Sequence, residues 1–411
     1  MATGALDGLK VVEYAHFVAA PYCSKLLADL GAEVIKVEEP GQGDPARSRG
    51  PFTGDVPHPE RSILYLYLNT NKRGVTLGVD SAPGRKLFRD LVAWADVLIE
   101  DNPPADMRRW GLDYKELRRV NRQLIMCSVT PFGQTGPYRD YRAYYLNTFH
   151  AGGEGYVLPG GLGWLLYHDR PPLKVGGYKG EYDCGLIAAI AVVAAYYGRE
   201  LLGQGQHIDL SKQEALLTLS RPELAKWPNE QFLETRASRA FPIAGLMQCK
   251  DGFVQLMPLE EHMWRGLVDL MGNPTWARDP KYAWERLSDR MGGYAEEREQ
   301  VNTWLSEWML HHTKEEIYYG LQQRGSAAGI ISTPSDLLTS EQLKGRGFFQ
   351  PIEHPVAGRA LYPSAPHQYS ETPWRARRPA PTLGQHNEEV FCELLGRDPE
   401  DLARLRQAGV V

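Results

Sequence analysis

A chain of 411 residues with 43% apolar and 10% aromatic side chains can fill ordinary cores and is long enough for two domains. Its formal charge of -5 argues against a nucleic-acid partner, and no run of like charges suggests a sticky tail. The cysteines, Cys23, Cys127, Cys184, Cys249 and Cys392, show no CxxC spacing, so neither a disulfide framework nor a metal site is indicated and a reducing, cytoplasmic setting is expected. No basic region with an apolar core opens the chain, and no membrane partner is expected.

Residues 8–14 (GLKVVEY) read as a buried strand, 21–30 as a helix with Pro21 in its first turn, and 31–37 (GAEVIKV) as a second strand. Together they make a βαβ unit. The turn AHFVAAP between strand and helix is where an open parallel sheet takes a ligand, but it lacks GxGxxG, so a dinucleotide is not indicated. A Pro- and Gly-rich loop carrying Arg47 and Arg49 follows. Two alternating apolar runs in LYLYLNTNKRGVTLGV then flank Asn69, Asn71, Lys72 and Arg73. Asn and Lys at a strand end can hold phosphate or ribose, but a solvated turn is the commoner explanation of such residues.

Ser81 and Pro83 open a helix running to Trp94, and DVLIE (96–100) continues the β/α alternation. Residues 112–121 read as helix and 124–129 (LIMCSV) as strand. The stretch that follows is dense in Gly, Tyr and polar residues and suits a loop lining a cleft. It leads to GGYKGEYDCGLIAAIAVVAAYYGRELLG (176–203), where a flexible approach delivers Glu181 and Asp183 to the start of a helix of Ala, Ile and Val. A helix apolar all round is expected to be buried, and flanking charge leaves it short of a membrane span. A carboxylate at such a helix start is either a cap, which suits Asp183, or a working group.

QHIDL (206–210) is a further strand, and 212–219 a further helix. The pattern changes near residue 220. A hairpin with an Asp-Gly turn at 249–256 and helices at 261–271, 296–311 and 314–324 suggest a smaller α+β domain over 228–330, set between large-domain segments 1–227 and 331–411. His311 and His312 are adjacent and point to different helix faces, a poor metal pair.

Taken together, GLKVVEYAHFVAAPYCSKLLADLGAEVIKVEEPGQGD, LNTNKRGVTL, ADVLIEDNPP, RRWGLDY, FGQTGPYRDYRAYY, GQGQHIDLS, GFVQL and LGQHNEEV resemble, in this order, the class III CoA-transferases. That family includes formyl-CoA, carnitine and bile-acid CoA-transferases and the α-methylacyl-CoA racemases. The resemblance implies an α/β fold with a Rossmann-like large domain and a smaller α+β domain, in an interlocked, ring-like homodimer. It implies coenzyme A or an acyl-CoA as substrate, with no metal, and a carboxylic acid as the second substrate. By position, Val18, Ala19, Asn71, Lys72, Asn102, Arg109 and Arg142 would lie beside the CoA, where basic side chains suit its phosphates. Glu39 stands where some members carry a basic residue.

The family's transferases use an aspartate at the position of Glu181. It attacks the acyl-CoA thioester to give a mixed anhydride, and the CoA thiolate then converts this to an enzyme-CoA thioester. Here one more methylene moves the acid by about 1.5 Å, enough to cost on the order of a hundredfold unless the pocket has adapted. Asp183 is the alternative acid. Family racemases carry a histidine where this chain has Tyr144, which counts against racemisation, although His150 lies six residues on. Three functions therefore stand: a CoA-transferase using Glu181, an acyl-CoA racemase, or a CoA-binding protein without covalent chemistry. Phe149, Tyr156, Trp164 and Tyr167 hint at a bulky acyl group.

Overall fold

Six short apolar runs pair into one parallel sheet. They are β1 (Lys10–Tyr14), β2 (Glu33–Glu38), β3 (Lys72–Thr76), β4 (Val97–Glu100), β5 (Ile125–Thr130) and β6 (His207–Ser211), in the order β3-β2-β1-β4-β5-β6. In the computed structural model, which describes residues 4–219, 221–236, 243–289 and 293–411, the order reverses between β1 and β4. That reversal is the switch point above which open parallel sheets take ligands. Alternate residues feed opposite layers: Val11, Val34, Ile99 and Cys127 enter one core, Val12, Ile35, Leu98 and Met126 the other.

The helices follow their local signals. Helix α1 (Ala19–Asp29) has Pro21 in its first turn and stops before Gly31, whose φ of 111° suits a residue without Cβ. The LYLYL run is not a strand but α2 (Ile63–Leu68), opened by the Ser62 hydroxyl accepting from the Tyr65 N–H. Leu64, Tyr65, Leu66 and Leu68 are all buried, so the apparent alternation carries no facing information. Ser81 caps α3 (Ala82–Trp94); α4 (Pro104–Trp110) and α5 (Tyr114–Val120), capped by Asp113, lie between β4 and β5. Then come α6 (Tyr145–Ala151), α7 (Leu162–Leu166), α8 (Lys179–Leu202) and α9 (Lys212–Leu219).

Helix α8 departs from expectation twice. Its 24 residues make it long and apolar enough to cross a membrane, by length and composition alone. It instead packs one face along α1, through Cys184, Gly185, Ala188, Val192 and Ala195. The opposite face is bare: Leu186, Ile190, Val193, Tyr197 and Leu201 are exposed, the last two at 71% and 83%.

The outer edge of β3 is closed by the chain's return. The Gly74 N–H donates to His386 Nδ1, the His386 N–H to the Gly74 carbonyl, and the Thr76 N–H to Asn387 Oδ1. Val390 and Phe391 then enter the core, so the LGQHNEEV motif satisfies an edge that would otherwise be open.

By internal contacts the chain forms two units: residues 4–154, 174–221 and 341–411, and residues 155–173 and 222–340. The second contains α7 and an antiparallel sheet of β7 (Gly245–Cys249), β8 (Gly252–Leu256) and β9 (Ala328–Ile330), packed by helices Glu261–Leu270, Ala295–Met309 and Lys314–Gln322. The segment 155–173 thus groups with the middle of the chain rather than with the residues that flank it. His312 stacks on Trp308 at 3.8 Å, a packing role.

Candidate active site

Glu181 occupies the first turn of α8 and is 3% exposed. Its neighbours explain how the helix start gets so deep. A Cβ on Gly180 would meet Phe149 and Leu216 at 3.1 and 3.2 Å, and one on Gly185, a turn later, would meet the Ala19 carbonyl oxygen at 2.4 Å. Small residues on either side of Glu181 let α8 close on α6, α9 and α1 together. No side chain caps α8; its N-cap is Tyr178, and Asp183 reaches back to Lys179 at 2.8 Å. The cap role foreseen for Asp183 is therefore not used, and its half-buried position points it along the helix.

The buried carboxylate has a partner. Lys212 Nζ donates to Glu181 Oε2 at 2.7 Å. Lys212 is the first residue after β6, whose Ser211 pairs with Thr130 of β5, so a strand end fixes its origin. Burial disfavours the ammonium, but the Glu181 carboxylate and the Asp101 charge outweigh it and hold its pKa above the ordinary lysine value. Cys184, one position beyond Asp183, is pushed up to about 12 by burial and then by the Glu181 charge, so it stays a thiol.

The turn after β1 lies against the same helix start. Phe17, at φ 67°, donates its N–H to Asp44, and its ring meets Tyr178 edge-on at 4.9 Å; Tyr145 meets Tyr178 at 5.0 Å. His16 makes two bonds to Asp101 at the end of β4, from its N–H at 3.0 Å and through Nδ1 at 2.9 Å. Burial works against the imidazolium, but Asp101 pushes its pKa up to about 9. Thus the C-terminal ends of β1, β4 and β6 contribute His16, Asp101 and Lys212, and α8 brings the acid.

Comparison with known proteins decides the family. Residues 6–387 match CoA-transferase family III. The chain belongs to that family. Among its relatives, the succinyl-CoA--D-citramalate CoA-transferase of Chloroflexus aurantiacus is 30% identical, covering 99% of this chain and 98% of the relative. A formyl-CoA:oxalate CoA-transferase of Rhodopseudomonas palustris is 28% identical, covering 100% and 98%. The crystal structure of a CaiB/BaiF family protein from Brucella suis superposes with a TM-score of 0.82 at 29% identity, over 95% of this chain and 100% of that one.

Against this family III frame, the residues foreseen beside CoA divide into two groups. Lys72 is fully buried and donates to Glu13 Oε2, the Pro21 carbonyl and Asn69 Oδ1, at 2.8, 2.8 and 2.9 Å. An ammonium has three donors, so none remains for a phosphate. Asn71 is also inside, bonding Asp29 and the backbone of Arg375 and Arg377. Both belong to the scaffold, which corrects the expectation. Asn102 ties β4 to β1 through the Tyr14 carbonyl, while Val18 and Ala19 form the buried start of α1. Arg109 and Arg142 are exposed. Glu39 is raised above the usual carboxylate range by partial burial and by Asp80.

Tyr144 is 80% exposed, its N–H held by Asn147, and His150 faces solvent while Phe149 turns inward onto Gly180. Glu181 is therefore paired with Lys212 and with neither of these. Phe149 is packing rather than acyl pocket. Tyr156, Trp164 and Tyr167 belong to the second unit. Among the described residues no group of three or more His, Cys, Asp or Glu could hold a metal ion. Lys212, His16 and Asp101 were missed in the sequence, although a lysine just past QHIDLS stands at the carboxyl edge of a parallel strand, where ligands bind.

Proposed function

We propose that this CoA-transferase moves coenzyme A from an acyl-CoA to a free carboxylic acid through covalent steps on Glu181. The carrying observation is a carboxyl group buried at a helix start beside the switch point and hydrogen-bonded to a lysine, in a chain of family III. Attack by Glu181 on the thioester carbonyl gives an acyl-glutamyl anhydride and CoA thiolate. The thiolate adds to the glutamyl carbonyl, releasing the first acid and leaving glutamyl-CoA; the acceptor carboxylate then runs the steps in reverse. Relatives named for citramalate and oxalate are in keeping with a carboxylate acceptor.

The backbone turn at Val18 and Ala19, Asn102 at the end of β4, and the exposed guanidinium groups of Arg109 and Arg142 are assigned to CoA. Arg109 has an exposed ion pair with Asp106 and a contact over the Trp110 ring to give up. Positions Gly176 and Gly177 face open space, which suits close approach of the pantetheine to the backbone.

The active form is read as a homodimer, in the interlocked form that the family resemblance implies. The support is the bare stripe on α8, whose members Leu186, Ile190, Val193, Tyr197 and Leu201 recur every three or four residues. That spacing suits a second copy better than water. The five free cysteines are in keeping with a cytoplasmic setting. No arrangement in the described residues favours a racemase: an acid paired to an ammonium lacks a second proton carrier opposite it.

The test is incubation with acyl-CoA thioesters, followed by hydroxylamine and peptide mapping. A hydroxamate on Glu181 is expected, with transfer abolished in Glu181→Gln. Full transfer by that variant sinks the reading.

A further inference from the structure

Among the described residues Lys212 is the one charged group hydrogen-bonded to Glu181, and the bond goes to one carboxyl oxygen, Oε2. The two oxygens are thereby made unequal. The oxygen not engaged by the ammonium, Oε1, is the better nucleophile, because its lone pairs are not drawn toward a cation. When Oε1 has attacked, it becomes the bridging atom of the anhydride and Oε2 becomes the carbonyl oxygen of the glutamyl group.

The next step is then set by geometry. Thiolate sulfur adds to Glu181 Cδ; a C–S bond forms, the C=O π pair moves onto Oε2, and a tetrahedral oxyanion results. Collapse re-forms the C=O bond and breaks the Cδ–Oε1 bond, so that the first acid leaves as a carboxylate with that electron pair. No proton is gained or lost. The negative charge that appears and vanishes is on Oε2, where Lys212 Nζ already stands at 2.7 Å, the range in which an oxyanion donor works.

We propose that Lys212 is a catalytic residue, the cationic oxyanion donor for the steps centred on the glutamyl carbonyl, and not for the step centred on the substrate's own carbonyl. The inference rests on the reading that Glu181 is the nucleophile. Its placement is rigid: β5 and β6 pair through Thr130 and Ser211, immediately before Lys212. In the resting enzyme the charges of Glu181 and Asp101 both favour the protonated form of Lys212 against burial.

The experiment is rapid acid quench of the enzyme with a panel of formyl-, acetyl- and succinyl-CoA, followed by intact-protein and peptide mass measurement. In the wild type, the Glu181 peptide passes quickly to a CoA adduct. In Lys212→Met the acyl adduct should persist, with formation of the CoA adduct slowed on the order of a hundred- to a thousandfold. Lys212→Arg should recover part of that loss, and a merely structural lysine would not change which adduct accumulates. Lys212→Gln is read the same way if Lys212→Met does not fold. If the wild type gives an adduct and Lys212→Met forms glutamyl-CoA at the wild-type rate, or slows both steps equally, the inference falls while the nucleophile stands. If the wild type gives no Glu181 adduct with any of the three, the nucleophile falls first.

Discussion

Gly185 of α8 meets the Ala19 carbonyl of α1 so closely that a Cβ there would lie 2.4 Å from the oxygen. Backbone cannot yield as a side-chain tip can. Gly185→Ala should therefore push the two helix starts apart, lowering stability by about 1–3 kcal/mol and withdrawing Glu181 from the turn at Val18. Thermal unfolding and transfer rate measured together check this, with both expected to fall. Gly180→Ala is the control: its contacts are side-chain atoms of Phe149 and Leu216 at 3.1 and 3.2 Å rather than backbone at 2.4 Å, so a smaller loss is expected.

The length of the acid is the second test. Glu181→Asp draws the carboxylate back by about 1.5 Å, out of reach of Lys212 Nζ at 2.7 Å. If the pocket suits glutamate, kcat should fall on the order of a hundredfold, with the fold intact by circular dichroism. An aspartate variant as fast as wild type would show that the extra methylene is not used.

A charge on the bare face of α8 should separate subunits. Ile190→Asp or Tyr197→Asp places a carboxylate in the exposed apolar stripe, where it costs nothing in a lone chain but must be desolvated between two. Light scattering behind gel filtration is expected to show a dimer for the wild type and a smaller species for the variants. An unchanged mass in both would remove the stripe from the interface.

These cases mark where sequence reasoning carries and where it stops. Strand runs such as KVVEY and EVIKV were legible because burial on both faces leaves continuous apolar stretches, and Ser81 and Gly31 punctuate the helices by local chemistry. The run LYLYL misled because its helix is apolar on every side, with Leu64, Tyr65, Leu66 and Leu68 all buried, and has no polar face to reveal its period. The composition of α8 announces burial, yet the same residues serve against the chain's own α1 and on an open face, so the sequence could not say which half needs a partner. Glu181 was visible at a helix start, but Lys212 is 31 residues away and meets it only through the pairing of β5 and β6. Lys72 looked like a phosphate ligand at a strand end; its partner Glu13 lies two strands away.

Lys72 and Arg109 should accordingly behave as opposites. Lys72→Met leaves the Glu13 carboxylate, which Lys36 and Lys72 hold at about 2 against the cost of burial, short of one counter-charge. Breaking such a buried pair is expected to cost about 3–5 kcal/mol, with little change in KM for acyl-CoA in whatever remains folded. Arg109→Ala should leave the unfolding curve unmoved and raise KM several-fold, more at low salt than at high salt. Urea titration and steady-state kinetics on both variants separate scaffold from ligand contact.

Glu100 makes stability depend on pH in the opposite sense to a paired carboxylate. It is fully buried, and Oε2 accepts from the Asn102 N–H at 2.8 Å. Burial pushes its pKa up to about 7 from 4.5. Between those values the folded protein binds the proton more tightly than the unfolded chain, so this contribution is intact below pH 4.5 and is lost as pH rises through 7. The loss above pH 7 is roughly 3 kcal/mol, each pKa unit being worth about 1.36 kcal/mol. Glu100→Gln keeps an acceptor for Asn102 and cannot ionise. Relative to wild type it should therefore gain stability steadily from pH 5 to pH 8 in urea unfolding, and then level off. A difference that stays constant across that range would mean that Glu100 holds an ordinary carboxylate pKa in the folded protein.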